Sequence, residues 1–243
     1  MTTREATPYL SRRDNVPINI LDLLTVLAFA PLQAPWLLKS LWGGRKHEKA
    51  GLLARLDLAP DALPNLGSWK ADTGLLHRLV DIIEVGRPAN VVELGAGASS
   101  LVIGQALKLN GGGRLTSFDQ HNDFVAATRE WLSAHSIDAK IFQAPLTDPP
   151  SGWRGRWYRL SYLPATIDLL VVDGPHWALH PMVRGAAETL FDRVRLGGTV
   201  VLDDAARPGE RLVARRWKRN WPDFEWRYER GIKGCLIGVR RGG

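Results

Sequence analysis

Between positions 91 and 100 the chain reads Val91-Val-Glu-Leu-Gly-Ala-Gly-Ala-Ser-Ser100, an apolar run that meets two glycines one residue apart and then passes into a helical pattern. Few local sequences restrict a fold as strongly. Glycine adopts backbone conformations closed to other residues and lets neighbouring atoms approach the chain closely. The run therefore turns sharply from a strand into a helix, with room for a ligand against the turn. A dinucleotide fingerprint would place a third glycine at position 100, where this chain has Ser100. An acid, Glu93, stands two positions before the first glycine. A carboxylate there is badly matched to a pyrophosphate and well matched to a cation.

The rest of the chain repeats the same alternation. Apolar residues at helical spacing predict a helix over 73–85, stopped by Pro88, before the strand at 90–94. Helices are predicted over 99–109, 124–135 and 180–194, and strands over 114–118, 139–144, 167–172 and 199–202. The most apolar strand pattern, at 167–172, suits a central parallel strand covered on both faces. A Pro/Gly/Trp-rich loop occupies 145–163, and one more helix precedes two β-rich runs, 225–230 and 235–240, which read as a terminal antiparallel hairpin. Strands alternating with helices make a doubly wound α/β sheet, and ligands of such sheets lie at the carboxyl ends of the strands. Asp119, Asp173, Asp203 and Asp204 all stand at such ends.

Asp119 follows Gly97 by 22 residues, the place from which a carboxylate accepts hydrogen bonds from both hydroxyls of a ribose. The motif Glu93-x-Gly95-x-Gly97, with an acid after the second strand, resembles that of the class I S-adenosylmethionine-dependent methyltransferases. The resemblance covers the chain from about Leu66 to its end. It implies a Rossmann-like seven-stranded sheet with a reversed last strand, and S-adenosyl-L-methionine as cofactor, the sulfonium and ammonium supplying the positive charge that Glu93 suits. It also assigns Glu93, Gly95, Gly97, Ser99, Ser100, Asp119, Gln120, Ala144 and Asp173 to the cofactor. His121 is expected to line the same pocket, and Ser68, Trp69 and Thr73 to close over it.

Asp173, Asp203 and Asp204 end consecutive strands, so adjacent strands bring three repelling carboxylates together. An all-oxygen set of this kind suits Mg²⁺ or another hard divalent cation. The segments around Asp173-Gly-Pro-His176 and Asp203-Asp204 resemble the metal-dependent O-methyltransferases of the catechol and macrocin type, although no lysine matches the catalytic lysine of the catechol enzymes. A bound metal would acidify an acceptor hydroxyl. The alternative is that Asp173 contacts cofactor or substrate while Asp203 and Asp204 cap the following turn. His176 is the candidate general base, since imidazole titrates near neutrality. Arg207 and Glu210 either orient the aspartate pair or form a surface ion pair, and Trp153, Trp157 and Tyr158 either wall a planar acceptor or anchor their loop.

The remaining segment, residues 1–65, reads as a helical, apolar extension to a catalytic domain at 66–243. Its run at 16–42 has no charge between Asp22 and Lys39 but contains Pro31 and Pro35. Prolines remove helical hydrogen bonds, so the run is expected either to pack as a lid or to lie in a membrane interface, aided by Trp36, Trp42 and basic flanks including Arg12, Arg13, Arg45 and Lys46, without spanning. The net charge of +7 is concentrated there and beyond Arg207. With no metal-finger spacing and no RNA-binding signature, it argues against nucleic acid as partner. No secretory signal is evident. The single cysteine, Cys235, fits a buried structural thiol in a reducing, cytoplasmic setting, with peripheral attachment to a membrane left open. The expected reaction is methyl transfer to a hydroxyl of a small or lipid-like acceptor. The rivals are an NAD-dependent oxidoreductase, disfavoured by Glu93 and Ser100, and a noncatalytic membrane-associated protein on the same fold.

Overall fold

The computed structural model describes residues 19–68 and 70–242, so the readings on Arg12, Arg13, Trp69 and positions 16–18 fall outside it. Nine strands follow in chain order: β1 (Asn90–Leu94), β2 (Arg114–Asp119), β3 (Ala139–Gln143), β4 (Leu146–Thr147), β5 (Trp157–Tyr158), β6 (Ile167–Val172), β7 (Val194–Leu202), β8 (Phe224–Glu229) and β9 (Cys235–Arg240). Seven of them form one sheet in the order β3-β2-β1-β6-β7-β9-β8. The first five of that order run parallel, while β9 is inserted antiparallel between β7 and β8. This is the doubly wound, Rossmann-like sheet with a terminal antiparallel hairpin that the pattern predicted.

Helices α1 (Ile20–Ser40), α2 (Lys46–Arg55), α3 (Thr73–Gly86), α4 (Ala98–Leu109), α5 (Asn122–Ala134) and α6 (Pro208–Asn220) surround the sheet, with a 3-10 segment at Val183–Arg193. Alternation along the strands builds two cores. Val91, Leu169, Val171, Val201 and Ile237 face the layer of α2 to α5, whereas Val92, Leu94, Leu170, Val172 and Leu202 face the layer that contains Phe191 and Trp217. Leu52, Leu53 and Leu56 of α2 are buried in the first core, so this part of the N-terminal extension packs with the sheet-covering helices. Asp72 caps α3 by accepting the Leu75 N–H at 2.8 Å. The helix ends at Arg87 in a left-handed conformation (φ 41°), because the residue before Pro88 is barred from continuing it.

Three expectations are corrected. The helix expected at 180–194 is a 3-10 segment beginning at Val183, where Gly185 lies so close to the Trp153 ring that a Cβ there would sit 1.9 Å from it. Strand β7 begins at Val194, five residues early, with its register against β6 shifting between Ile167 and Leu169 around the Gly197-Gly198 pair. Helix α1 runs unbroken through Pro31 and Pro35. Both prolines are exposed and four residues apart, so the lost amide donors fall on one solvent-facing side and the rest of the ladder persists.

The orientation of α1 is inverted relative to an ordinary surface helix. Its polar Asp22, Gln33 and Ser40 are buried, while Leu21, Leu24, Leu27 and Leu38 are 55–68% exposed. Both ends contact the rest of the protein: the Ser68 N–H donates to Ser40 O at 2.5 Å, and Asp22 acts on the buried His180. At 1.5 Å per residue the helix lies along some 27 Å of the domain. By length and composition alone, with a mean hydropathy of 1.5, it is also long and apolar enough to cross a bilayer.

Candidate functional site

The site is built where β1, β6 and β7 end side by side. Register pairs Glu93 with Ser117 on β2 and with Val171 on β6, which sinks the carboxylate into the sheet with no exposure. One of its oxygens accepts Ser100 Oγ at 2.5 Å and Ser117 Oγ at 2.6 Å, and the other has no hydrogen-bond partner. Burial pushes Glu93 up to about 7, against the serine hydroxyls of Ser100, Ser117 and Ser99, which favour its ionised form. Ser100 also accepts the Gly97 N–H at 2.9 Å, so the residue that replaces a third glycine ties the turn to the acid. Gly95 adopts φ 96°, and a Cβ on it would lie 2.9 Å from the Gly174 nitrogen. Only glycine permits that contact between the turns after β1 and β6.

Asp119 ends β2 almost fully buried and accepts the His121 N–H at 3.0 Å, while its carbonyl takes the N–H of the buried Ala144 at 2.8 Å. The neighbouring Gln120 meets His121 side chain to side chain at 3.2 Å. A cavity of about 250 Å³ opens beside these residues, walled by Gln120, Asp173, His176 and Asp204, by Tyr158 and Trp177, and by Leu37, Ser40 and Leu41 from the end of α1. His176 Nδ1 takes the Ala178 N–H at 3.2 Å. Of the loop aromatics, Tyr158 reaches the cavity, whereas Trp153 and Trp157 are buried in the second core. Ser68 lines the cavity, and Thr73 instead donates to Glu48 at 2.7 Å. Cys235 is buried and its thiol is pushed up to about 12 by that burial.

The three strand-end carboxylates do converge, with one oxygen from each of Asp173, Asp203 and Asp204 all within 4.8 Å of one another. Two of the surrounding charges, Arg184 and Lys233, were not legible beforehand. Arg184 donates to Asp204 Oδ2 at 3.0 Å and to Asp173 Oδ1 at 3.1 Å. Arg207 pairs with Asp204 at 2.9 Å inside the protein, so it orients the aspartate and is no surface pair. Lys233, from the β8–β9 turn, places Nζ 4.0 Å from Asp203 and 3.9 Å from Asp204. Burial alone would raise Asp204, but Arg207, Lys233 and Arg184 hold it well below the usual carboxylate range. Asp203 is driven the other way, by burial and by Asp204 beside it. Glu210, also buried, is pushed up to about 7. Three basic groups thus thread the carboxylate cluster. Arg184 and Lys233 escaped notice because neither stands at the end of a parallel strand, the rule by which the acids were found.

A family model described as a methyltransferase domain matches residues 92–205. No curated protein matches the chain. Among solved structures, the O-methyltransferase TomG from Streptomyces achromogenes, in complex with S-adenosylmethionine, is similar at 16% identity and a TM-score of 0.51, covering 86% of this chain and 99% of that one. An O-methyltransferase from Bacillus cereus gives 12% identity, 0.53, 88% and 99%. The methyltransferase PaMTH1 from Podospora anserina gives 13%, 0.54, 94% and 98%. Residues 92–205 thus match a methyltransferase domain, and the sheet around them has the Rossmann-like fold of these methyltransferases.

Proposed function

We propose that the protein transfers the methyl group of S-adenosyl-L-methionine to a hydroxyl oxygen of an amphiphilic small molecule or lipid-like acceptor at a membrane surface. The observation that carries this reading is the cavity itself, walled on one side by Gln120, Asp173 and His176 and on the other by the apolar end of α1. In this reading Glu93, Gly95, Gly97, Ser99, Ser100, Asp119, Gln120, Ala144 and Asp173 form the cofactor's surroundings, with Asp119 on the ribose. The acceptor oxygen attacks the methyl carbon, the carbon–sulfur bond breaks, and S-adenosylhomocysteine leaves as a neutral thioether. Asp173 orients the acceptor and His176 takes the hydroxyl proton. The contact from Ala178 selects the tautomer with the proton on Nε2. Action as a base therefore turns the ring to bring Nδ1 to the acceptor, and a bond of 3.2 Å is long enough to yield at little cost.

The partner surface follows from the same helix. Leu21, Leu24, Leu27, Leu32 and Leu38 are exposed, and Lys39, Arg45 and Lys46 near its end, with Arg211, Arg215, Lys218 and Arg219 on the adjoining α6, are exposed cations. An apolar stripe edged by positive charge complements an anionic bilayer surface. A helix seated along its own domain lies in the interface plane, and the cavity mouth beside Leu37 and Leu41 then faces the lipid. The test is transfer of labelled methyl from S-adenosylmethionine into separate aqueous and lipid extracts, alongside calorimetry with the cofactor. Label in the lipid fraction supports the reading, whereas label confined to water-soluble product removes the lipid acceptor, and absence of cofactor binding rejects the whole.

A further inference from the structure

We infer that the carboxylates at the ends of β6 and β7 take no divalent metal, because Arg184 and Lys233 stand where the metal's charge would be. Arg184 has five N–H donors, and every acceptor is present: Nε to Pro175 O at 3.3 Å, Nη1 to Asp203 O at 3.2 Å and Asp204 Oδ2 at 3.0 Å, and Nη2 to Asp173 O at 2.7 Å and Asp173 Oδ1 at 3.1 Å. The guanidinium cannot swing aside without stranding five buried donors. It is thus a fixed part of the wall, joining β6 to β7 as a planar fork.

Lys233 closes the other side. Its Nζ is held by Ser68 O at 3.1 Å and Lys70 O at 2.8 Å, and it faces Asp203 Oδ2 and Asp204 Oδ1, the two oxygens of the group that lack hydrogen-bond partners. A hard cation needs oxygens at about 2.0–2.6 Å. Held by these three carboxylates, it would lie between a guanidinium and an ammonium, at a depth where water screens little of the repulsion. The charge balance points the same way: the four carboxyl groups of Asp173, Asp203, Asp204 and Glu210 face the three basic groups of Arg184, Arg207 and Lys233. The cluster is close to neutral without any added ion. Arg184 is a positioning residue, since its donors are spent on the protein and none is left for an acceptor.

The inference does not depend on which acceptor is methylated. Its test is Mn²⁺ titration of the EDTA-dialysed full-length protein by electron paramagnetic resonance, with melting in EDTA and in Mg²⁺. The expected result is no stoichiometric Mn²⁺ and one melting temperature in both solutions; a stoichiometric Mn²⁺ site in the wild type overturns the inference. Arg184→Met removes the obstructing charge while leaving the carboxylates. If it folds by circular dichroism, it is expected to bind Mn²⁺ at least tenfold more tightly than the wild type, a gain that a merely structural arginine would not produce. Folded Arg184→Met with unchanged, weak Mn²⁺ binding overturns the inference as well. Should that variant not fold, Lys233→Met answers the same question from the other side, and the wild-type titration decides alone if neither folds. Calorimetry with S-adenosylmethionine on the same EDTA-treated wild type keeps the two readings apart: its failure rejects the proposed cofactor and leaves the metal result standing.

Discussion

Replacing Glu93 by glutamine isolates the energetic role of the acid beneath the glycine turn. Burial moves its carboxyl from 4.5 to about 7. The folded protein therefore binds that proton more tightly than the unfolded chain, so the stability this provides is present below pH 4.5 and lost as the pH rises through 7. At 1.36 kcal/mol per unit, the difference accumulated between pH 5 and pH 8.5 is about 2–3 kcal/mol. Glutamine has the same shape, can accept the hydroxyls of Ser100 and Ser117, and carries no charge. Its buried NH₂ adds a cost of about 1–3 kcal/mol, but one that does not vary with pH. The gap in stability between variant and wild type is thus expected to shift in the variant's favour by about 2–3 kcal/mol from pH 5 to pH 8.5, roughly 5–10 °C in melting temperature for a chain of this size. A cationic cofactor reverses the sign, so wild-type affinity for S-adenosylmethionine is expected to rise with pH through 7 and that of the variant to stay flat. Parallel melting curves at both pH values, together with equal cofactor affinity at pH 8.5, would refute the reasoning.

Asp119→Ala is expected to weaken S-adenosylmethionine binding by about 1.5–3 kcal/mol in calorimetry, and unchanged affinity removes Asp119 from the cofactor's contacts. His176→Gln should lower turnover about 10²–10⁴-fold and abolish the ascending limb of the pH–rate profile near neutrality, with cofactor affinity retained; a variant of near-wild-type rate shifts the deprotonation to another group. Leu24→Asp with Leu27→Asp, both on the exposed side of α1, should end flotation with anionic vesicles while sparing cofactor binding, and high salt should weaken flotation of the wild type; a wild type that never floats rejects the interfacial role. Trp217→Ala, which empties a fully buried site against Phe191 and Trp226, should cost about 3–5 kcal/mol in denaturant unfolding.

Strands were the legible part of the fold because a buried strand is a short, mostly apolar run bounded by turn residues, and β1, β6 and β9 begin and end where the pattern predicted. The 3-10 segment was not, since its course is set by the Trp153 ring pressing on Gly185, more than thirty residues distant in sequence. The acids of the site could be read from one rule, that they stand at strand ends. Arg184 and Lys233 obey no such rule: they are chosen by charges brought to them by the sheet. The inward-facing polar residues of α1 were hidden for a similar reason, because hydropathy reports how apolar a helix is and not which side meets the domain.

The position of Lys233 also bears on when the protein becomes competent. Its ammonium holds Ser68 and Lys70, and its N–H reaches Asp72 Oδ2 at 3.3 Å, contacts that join parts of the chain 161–165 residues apart. Contacts of such separation close a large loop and form slowly relative to local helices. The loop before α3 thus waits for the β8–β9 hairpin before it is locked against the carboxylates. During synthesis the hairpin follows β1, β2 and their helices, so a nascent chain that has already assembled those elements still has the loop of Ser68, Lys70 and Asp72 unfastened.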